Sequence, residues 1–204
     1  DRAFSIARRA TPGRGGALPV LAGLYLNLKK NQLVVVGSDL DLTIRVQSEV
    51  GGEEDGTTVI PAALGTEIMR ALESGRVQVE VDDNGARVTS GRSDFNLRTF
   101  PADEFPKFDE PGGEAVTLDV GNFAAALEQV VKAASIDDSR PILTGVLLAA
   151  ESGGLRLVAT DSYRMAVRDL PGTEILGRDQ TVLVPSRALD VVNRLLGDAK
   201  GLSI

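Results

Sequence analysis

Apolar residues recur along this chain in two alternating rhythms. Over 121–135 (GNFAAALEQVVKAAS), Phe123, Leu127, Val130, Val131 and Ala134 fall on one side of a helical wheel, with Glu128 and Lys132 turned away. That spacing predicts an amphipathic α-helix. A shorter stretch of the same kind runs from Phe4 to Ala10. Leu64, Ile68 and Leu72 mark a third helix, and Leu189, Val192 and Leu196 a fourth. Pro61 and Pro185 open these two at the expected first helical position, where a missing N–H costs nothing. Gly75 and Gly197 are the expected stops. Between the helices lie strand-like runs: LVVV at 33–36, VQVEV at 77–81, ARVTS at 86–90, DFNLRTF at 94–100 and LRLVA at 155–159. Helices and strands thus follow one another along the chain in a recurring order.

The pattern repeats. Residues 18–46 align without a gap on 140–168 at an offset of 122, matching Pro19 to Pro141, Leu21 to Leu143, Gly23 to Gly145, Leu26 to Leu148, Leu33 to Leu155 and Asp39 to Asp161. A second block, 57–72 on 181–196, follows two residues out of phase and matches Pro61 to Pro185 and Arg70 to Arg194. The linker FDEPGGEA at 108–115 separates the repeats, so two domains are expected, 1–112 and 113–204. The first repeat holds only the end of its opening helix, and only 19 residues follow Pro185 in the second. The expectation is a piece of a longer chain, with the start of the first domain and the last strands of the second missing. A sheet short of strands exposes an edge.

Composition narrows the chemistry. The 204 residues contain no cysteine and no histidine. Disulfides, thiolate metal sites and Ser-His-Asp or Cys-His catalysis are therefore excluded, and the commonest general base is absent. No apolar run is long enough for a membrane span, so no membrane partner is expected. The net charge of −7 does not draw nucleic acid from a distance. The charge is unevenly placed, however. Segments 1–16, 61–73, 121–136 and 185–200 carry +3, −1, 0 and +1, leaving −10 on the rest. Arg187 and Arg194 share a helix face opposite Leu189 and Val192, and Arg70 stands opposite the apolar stripe of its own helix. Such faces are either ordinary solvated surface or a shared phosphate-facing surface.

Three segments carry a family resemblance. SGRSDFNLRTFPADEFP at 90–106 and LPVLAGLYL at 18–26 are similar to the first domain of bacterial DNA polymerase III sliding clamps, and LRLVATDSYRMAV at 155–167 to their second. The resemblance implies an α+β fold of repeated DNA-clamp domains, with helices lining a ring interior and antiparallel sheets outside. It implies a homodimeric, cytoplasmic processivity factor that encircles duplex DNA without sequence preference and takes no cofactor. Its partners would be the polymerase III alpha subunit, the clamp loader and other proteins carrying a clamp-binding motif. By the same resemblance Leu143, Thr160, Ser162, Tyr163, Arg164 and Met165 line a partner-peptide pocket, and Arg14, Arg70, Arg140, Arg187 and Arg194 face DNA. The family often has Gly-His at Ser162-Tyr163, and some members have a DNA-contacting glutamine at Asp137. Phe105 and Phe108 are expected either at the subunit interface or as a plug on their own sheet.

Three rival readings follow. An enzyme reading would use GRGG at 13–16 as a phosphate loop, but no Lys-Ser/Thr follows it and no strand precedes it. Asp39 and Asp161 occupy equivalent repeat positions at strand ends, which suits turns better than catalysis. The other rivals are a clamp paralogue serving inhibitor resistance or repair, and a protein-binding repeat scaffold without DNA contact.

Overall fold

In the computed structural model the residues described are 1–12, 18–108, 112, 115–151, 153–197 and 199–203. They fall into two compact units, Asp1–Asp109 and Glu110–Ile204.

The first unit opens with α1 (Arg2–Ala7), which tightens into a 3-10 turn over Arg8–Ala10. Strands β1 (Gly23–Lys29), β2 (Gln32–Ser38), β3 (Thr43–Glu49) and β4 (Gly56–Pro61) form an antiparallel sheet in the order β3-β2-β1-β4. Helix α2 (Ala62–Ala71) follows, then β5 (Gln78–Asp82), β6 (Gly85–Ser90) and β7 (Ser93–Leu97) in a second sheet. Alternation along the strands sends Leu24, Leu26 and Val35 to one face, where they pack with Phe4, Ala7, Ile60 and Ile68. Helix α1 lies so close to this sheet that a Cβ on Gly37 would run into the carbonyl oxygen of Ala7. The opposite face buries Val20, Leu21, Val36 and Val59 beneath Phe105, with Tyr25, Phe100 and Phe108 packed around them.

The second unit repeats the plan. Strand β8 (Thr117–Leu118) leads into α3 (Val120–Val130), capped by the Asp119 carboxylate, which accepts from the Asn122 N–H at 2.7 Å. Strands β9 (Gly145–Glu151), β10 (Gly154–Thr160), β11 (Met165–Pro171) and β12 (Thr181–Pro185) form a sheet ordered β11-β10-β9-β12. Helix α4 (Ser186–Leu196) and β13 (Leu202–Ser203) complete the described elements, with β13 paired to β8. One core holds Phe123, Leu127, Val130, Leu148, Leu157, Leu189 and Leu196 together. The fold class is α+β with antiparallel sheets, as expected, and the offsets of 122 and 124 map β1–β3 onto β9–β11 and α2 onto α4.

Four local expectations change. Pro61 and Pro185 close their strands as N-caps, one residue before the helix, with ψ of 119° and 129°. Helix α2 buries Ala62, Gly65, Thr66 and Ile68, and leaves Leu64 exposed. Small residues set that face: a Cβ on Gly65 would lie 2.7 Å from Ile60, and the Thr66 hydroxyl is satisfied by the Ala62 carbonyl at 2.6 Å. Gly197 caps α4 in the right-handed conformation, whereas α2 ends at Leu72, before Gly75. Strand β7 stops at Leu97, and Phe100 makes its own bridge to Val59.

Candidate functional site

Strands β10 and β11 are joined by a tight turn over 160–165. The Asp161 carboxylate accepts the N–H of Tyr163 and of Arg164, both at 3.0 Å, and the Asp161 N–H donates to the Arg164 carbonyl. These two amide donors, with the Arg164 guanidinium beside them, hold the Asp161 carboxyl below the usual carboxylate range. The Thr160 hydroxyl donates to the Arg164 carbonyl at 2.8 Å and accepts from the Ser162 N–H at 3.1 Å. Ser162 is forced to φ 77°, the left-handed region that favours glycine. Asp39 closes the equivalent turn of the first unit by accepting from the Leu42 N–H at 2.8 Å, and Leu40 there has φ 81°. Both aspartates thus serve turns.

The turn presents its side chains to solvent. Tyr163 is 94% exposed and Met165 67%, and the 3-10 turn Pro141–Leu143 adds Ile142 at 74% and a half-buried Leu143. Large apolar side chains are thus gathered in the open beside a polar turn. A cavity of about 330 Å³ opens between this turn and the end of α3, lined by Ala134, Ser135, Ile136, Arg140, Asp161, Tyr163 and Arg164. Of the six residues assigned to the peptide pocket, Tyr163 and Arg164 line it; Leu143, Thr160, Ser162 and Met165 lie outside it.

The repeat offers a comparison for this surface. Ile142 and Leu183 correspond to Val20 and Val59, which are buried under Phe105 in the first unit. In the second unit Leu147, Val182 and Leu183 are exposed on the matching sheet. Sequence periodicity does not single out Ile136, Ile142 or Leu183.

The five basic positions separate. Arg70 is exposed near the end of α2, and its Nε donates to the Ser5 hydroxyl at 3.4 Å, tying the outer faces of α2 and α1 together. Arg187 and Arg194 are both exposed on α4, with Arg194 paired to Asp190 at 2.8 Å. Arg140 is on no helix. It lines the cavity beside the turn, with Nε 3.4 Å from Asp137 and Nη1 3.4 Å from the Ser162 hydroxyl. Arg14 and the GRGG stretch lie outside the described residues. Phe105 is buried, stacks on Tyr25 with ring centres 5.2 Å apart, and meets Phe108 edge-on at 6.3 Å. Phe105 thus covers its own sheet, and Phe108 is left half-buried beside it. Among the described residues no cluster of three or more Asp or Glu could hold a metal ion, and no helix is long and apolar enough to cross a membrane.

Residues 5–109 match the family model of the DNA polymerase III beta subunit, N-terminal domain, and residues 117–204 that of its central domain. The beta sliding clamp of Streptomyces coelicolor is 36% identical over 201 residues, covering 98% of this chain and 52% of that protein. The DNA polymerase III subunit beta of Pseudomonas aeruginosa superposes with a TM-score of 0.91 at 27% identity, over 100% of this chain and 56% of that one. A Pseudomonas aeruginosa sliding clamp bound to griselimycin superposes at 0.87 with 28% identity, over 97% and 54%. The chain thus spans about half the length of the relatives it matches.

Proposed function

From the premise that this chain belongs to the bacterial DNA polymerase III beta-subunit family, the sliding clamps, we propose that it is part of a DNA polymerase processivity factor. In this reading two full-length subunits close head to tail into a cytoplasmic ring around duplex DNA, and the ring performs no chemistry of its own. The observation that carries it is the match of two consecutive clamp domains in order over nearly the whole chain, on two units of one topology.

The exposed arginines Arg70, Arg187 and Arg194 would face the phosphates, joined by Arg14 from its loop. Asp190 shares Arg194, which keeps that contact weak, as a sliding protein requires. Arg140 would be a weaker DNA contact, since its present partners are Asp137 and Ser162. The polymerase alpha subunit, the clamp loader and other clamp-binding-motif proteins would dock peptides on Leu143, Thr160, Ser162, Tyr163, Arg164 and Met165. Apolar anchors would sit against Met165 and Leu143 while the polar turn sets orientation. The first unit would meet a partner subunit near the half-buried Phe108, with Phe105 supporting it from beneath.

A fluorescent clamp-binding peptide titrated onto the full-length protein tests the docking surface. Met165→Ala and Leu143→Ala should each weaken binding. Tight binding unaffected by either substitution would move the docking site elsewhere.

A further inference from the structure

We propose that Arg164 is a positioning residue whose guanidinium latches the exposed 160–165 turn to the carboxyl-terminal end of α3. The proposal deepens the docking reading above, and what happens at the turn is thereby passed to the 132–140 stretch. Nε of Arg164 donates to the Asp161 carboxylate at 3.1 Å, and Nη2 donates to the Lys132 main-chain carbonyl at 2.8 Å. Lys132 sits in the 3-10 turn that ends α3. Carbonyls there lack intrahelical donors, and the helix dipole favours a cation. The latch spans 32 residues of sequence and joins the sheet edge of the turn to a helix end.

The first unit supplies the control. Leu42 stands where Arg164 stands in the repeat, yet its turn closes in the same way. Asp39 N–H donates to the Leu42 carbonyl, the Leu42 N–H donates to Asp39, and Leu40 takes the left-handed conformation of Ser162. A guanidinium is therefore not needed to make the turn. What it adds in the second unit is the tie to the helix. Two further contacts run in parallel: Arg140 to the Ser162 hydroxyl at 3.4 Å, and the Ser135 N–H to the Leu143 carbonyl at 2.8 Å. Together they border the cavity of about 330 Å³, so a side chain entering it presses on the turn and on the end of α3 together.

Hydrogen–deuterium exchange on the full-length protein tests the latch without any ligand. Arg164→Gln should speed amide exchange in 160–165 and in 132–140 by about three- to tenfold, the loss of one charge-assisted bond on a largely exposed residue. The second unit's melting temperature should fall by about 3–10 °C, the same loss read globally, and the unit should stay folded at 25 °C. Arg164→Lys, which keeps a cation and one reachable donor, should restore much of the protection at 132–140. Unchanged exchange at 132–140 in Arg164→Gln overturns the latch. A parallel peptide titration on the full-length protein should show binding weakened about three- to tenfold by Gln and restored to within about twofold by Lys. Weakened binding with unchanged exchange makes Arg164 a direct ligand contact and also overturns the latch. Absence of peptide binding by the wild type sinks the docking reading, and the exchange result alone then decides the latch.

Discussion

Replacing Phe105 by alanine separates a plug from a contact surface. The ring is 6% exposed and closes over Val20, Leu21, Val36 and Val59 while stacking on Tyr25. Removing a phenylalanine from such a site costs about 3–5 kcal/mol, through the transfer free energy forgone and the cavity left behind. The stacked and edge-on pairs with Tyr25 and Phe108 belong to that total and disappear with the ring. With a urea slope of about 1.5 kcal/mol/M for a unit of this size, the first unit's midpoint should fall by roughly 2–3 M. Tyr25 fluorescence reports the transition locally: the chain has two tyrosines and no tryptophan, and Tyr163 stands 94% exposed in the other unit. Hydrogen exchange should show loss of protection in β1, β2 and β4, with β9–β12 unchanged. Phe108→Ala, at a half-buried ring, should cost about 1–2 kcal/mol. A loss below about 1 kcal/mol for Phe105→Ala would refute the plug, because no cavity-forming substitution at a closed site is that cheap.

Ser162→Gly should hold or raise the second unit's urea midpoint, and Ser162→Ile should destabilise that unit by about 1–2 kcal/mol, because φ is 77° there. The Asp161 carboxyl is held below its unfolded value by the Tyr163 and Arg164 amides, so its contribution is present above that unfolded value, about 3.9, and is lost as pH falls through the lower folded one. Amide shifts of Tyr163 and Arg164 followed below pH 5 should therefore move together with that single titration. In the full-length ring, Arg187→Glu with Arg194→Glu should speed release from DNA and flatten its salt dependence by about 0.9 in log–log slope for each phosphate no longer neutralised.

Much of the fold was legible because the chain states it twice. The offset of 122 placed Asp39 and Asp161 at the same turn, and in the structure each exchanges hydrogen bonds with the residue three positions on, across a left-handed residue, Leu40 or Ser162. Helix α2 departs from its apolar pattern at Leu64 because its packing runs through Ala62, Gly65 and Thr66, whose small size matters more than their hydropathy. Phe105 could not be assigned from sequence, since an aromatic near a linker suits a plug and an interface equally. The Arg164 tie to Lys132 was invisible for a different reason: its acceptor is a main-chain carbonyl, which no residue pattern marks. Arg140 resembles the helix arginines by charge alone, yet its backbone leads it to the cavity beside Ser162.

The central claim is topological, so the most direct measurement is topological as well. The full-length protein, labelled and loaded onto nicked circular duplex by a clamp loader and ATP, is separated from free protein, and the DNA is then cut once. The account predicts retention on the circle through a high-salt wash and release within minutes of linearisation, as a ring runs off the ends. Retention that survives linearisation would mean ordinary affinity for DNA in place of encirclement, and a protein never held by the circle would contradict the clamp assignment itself.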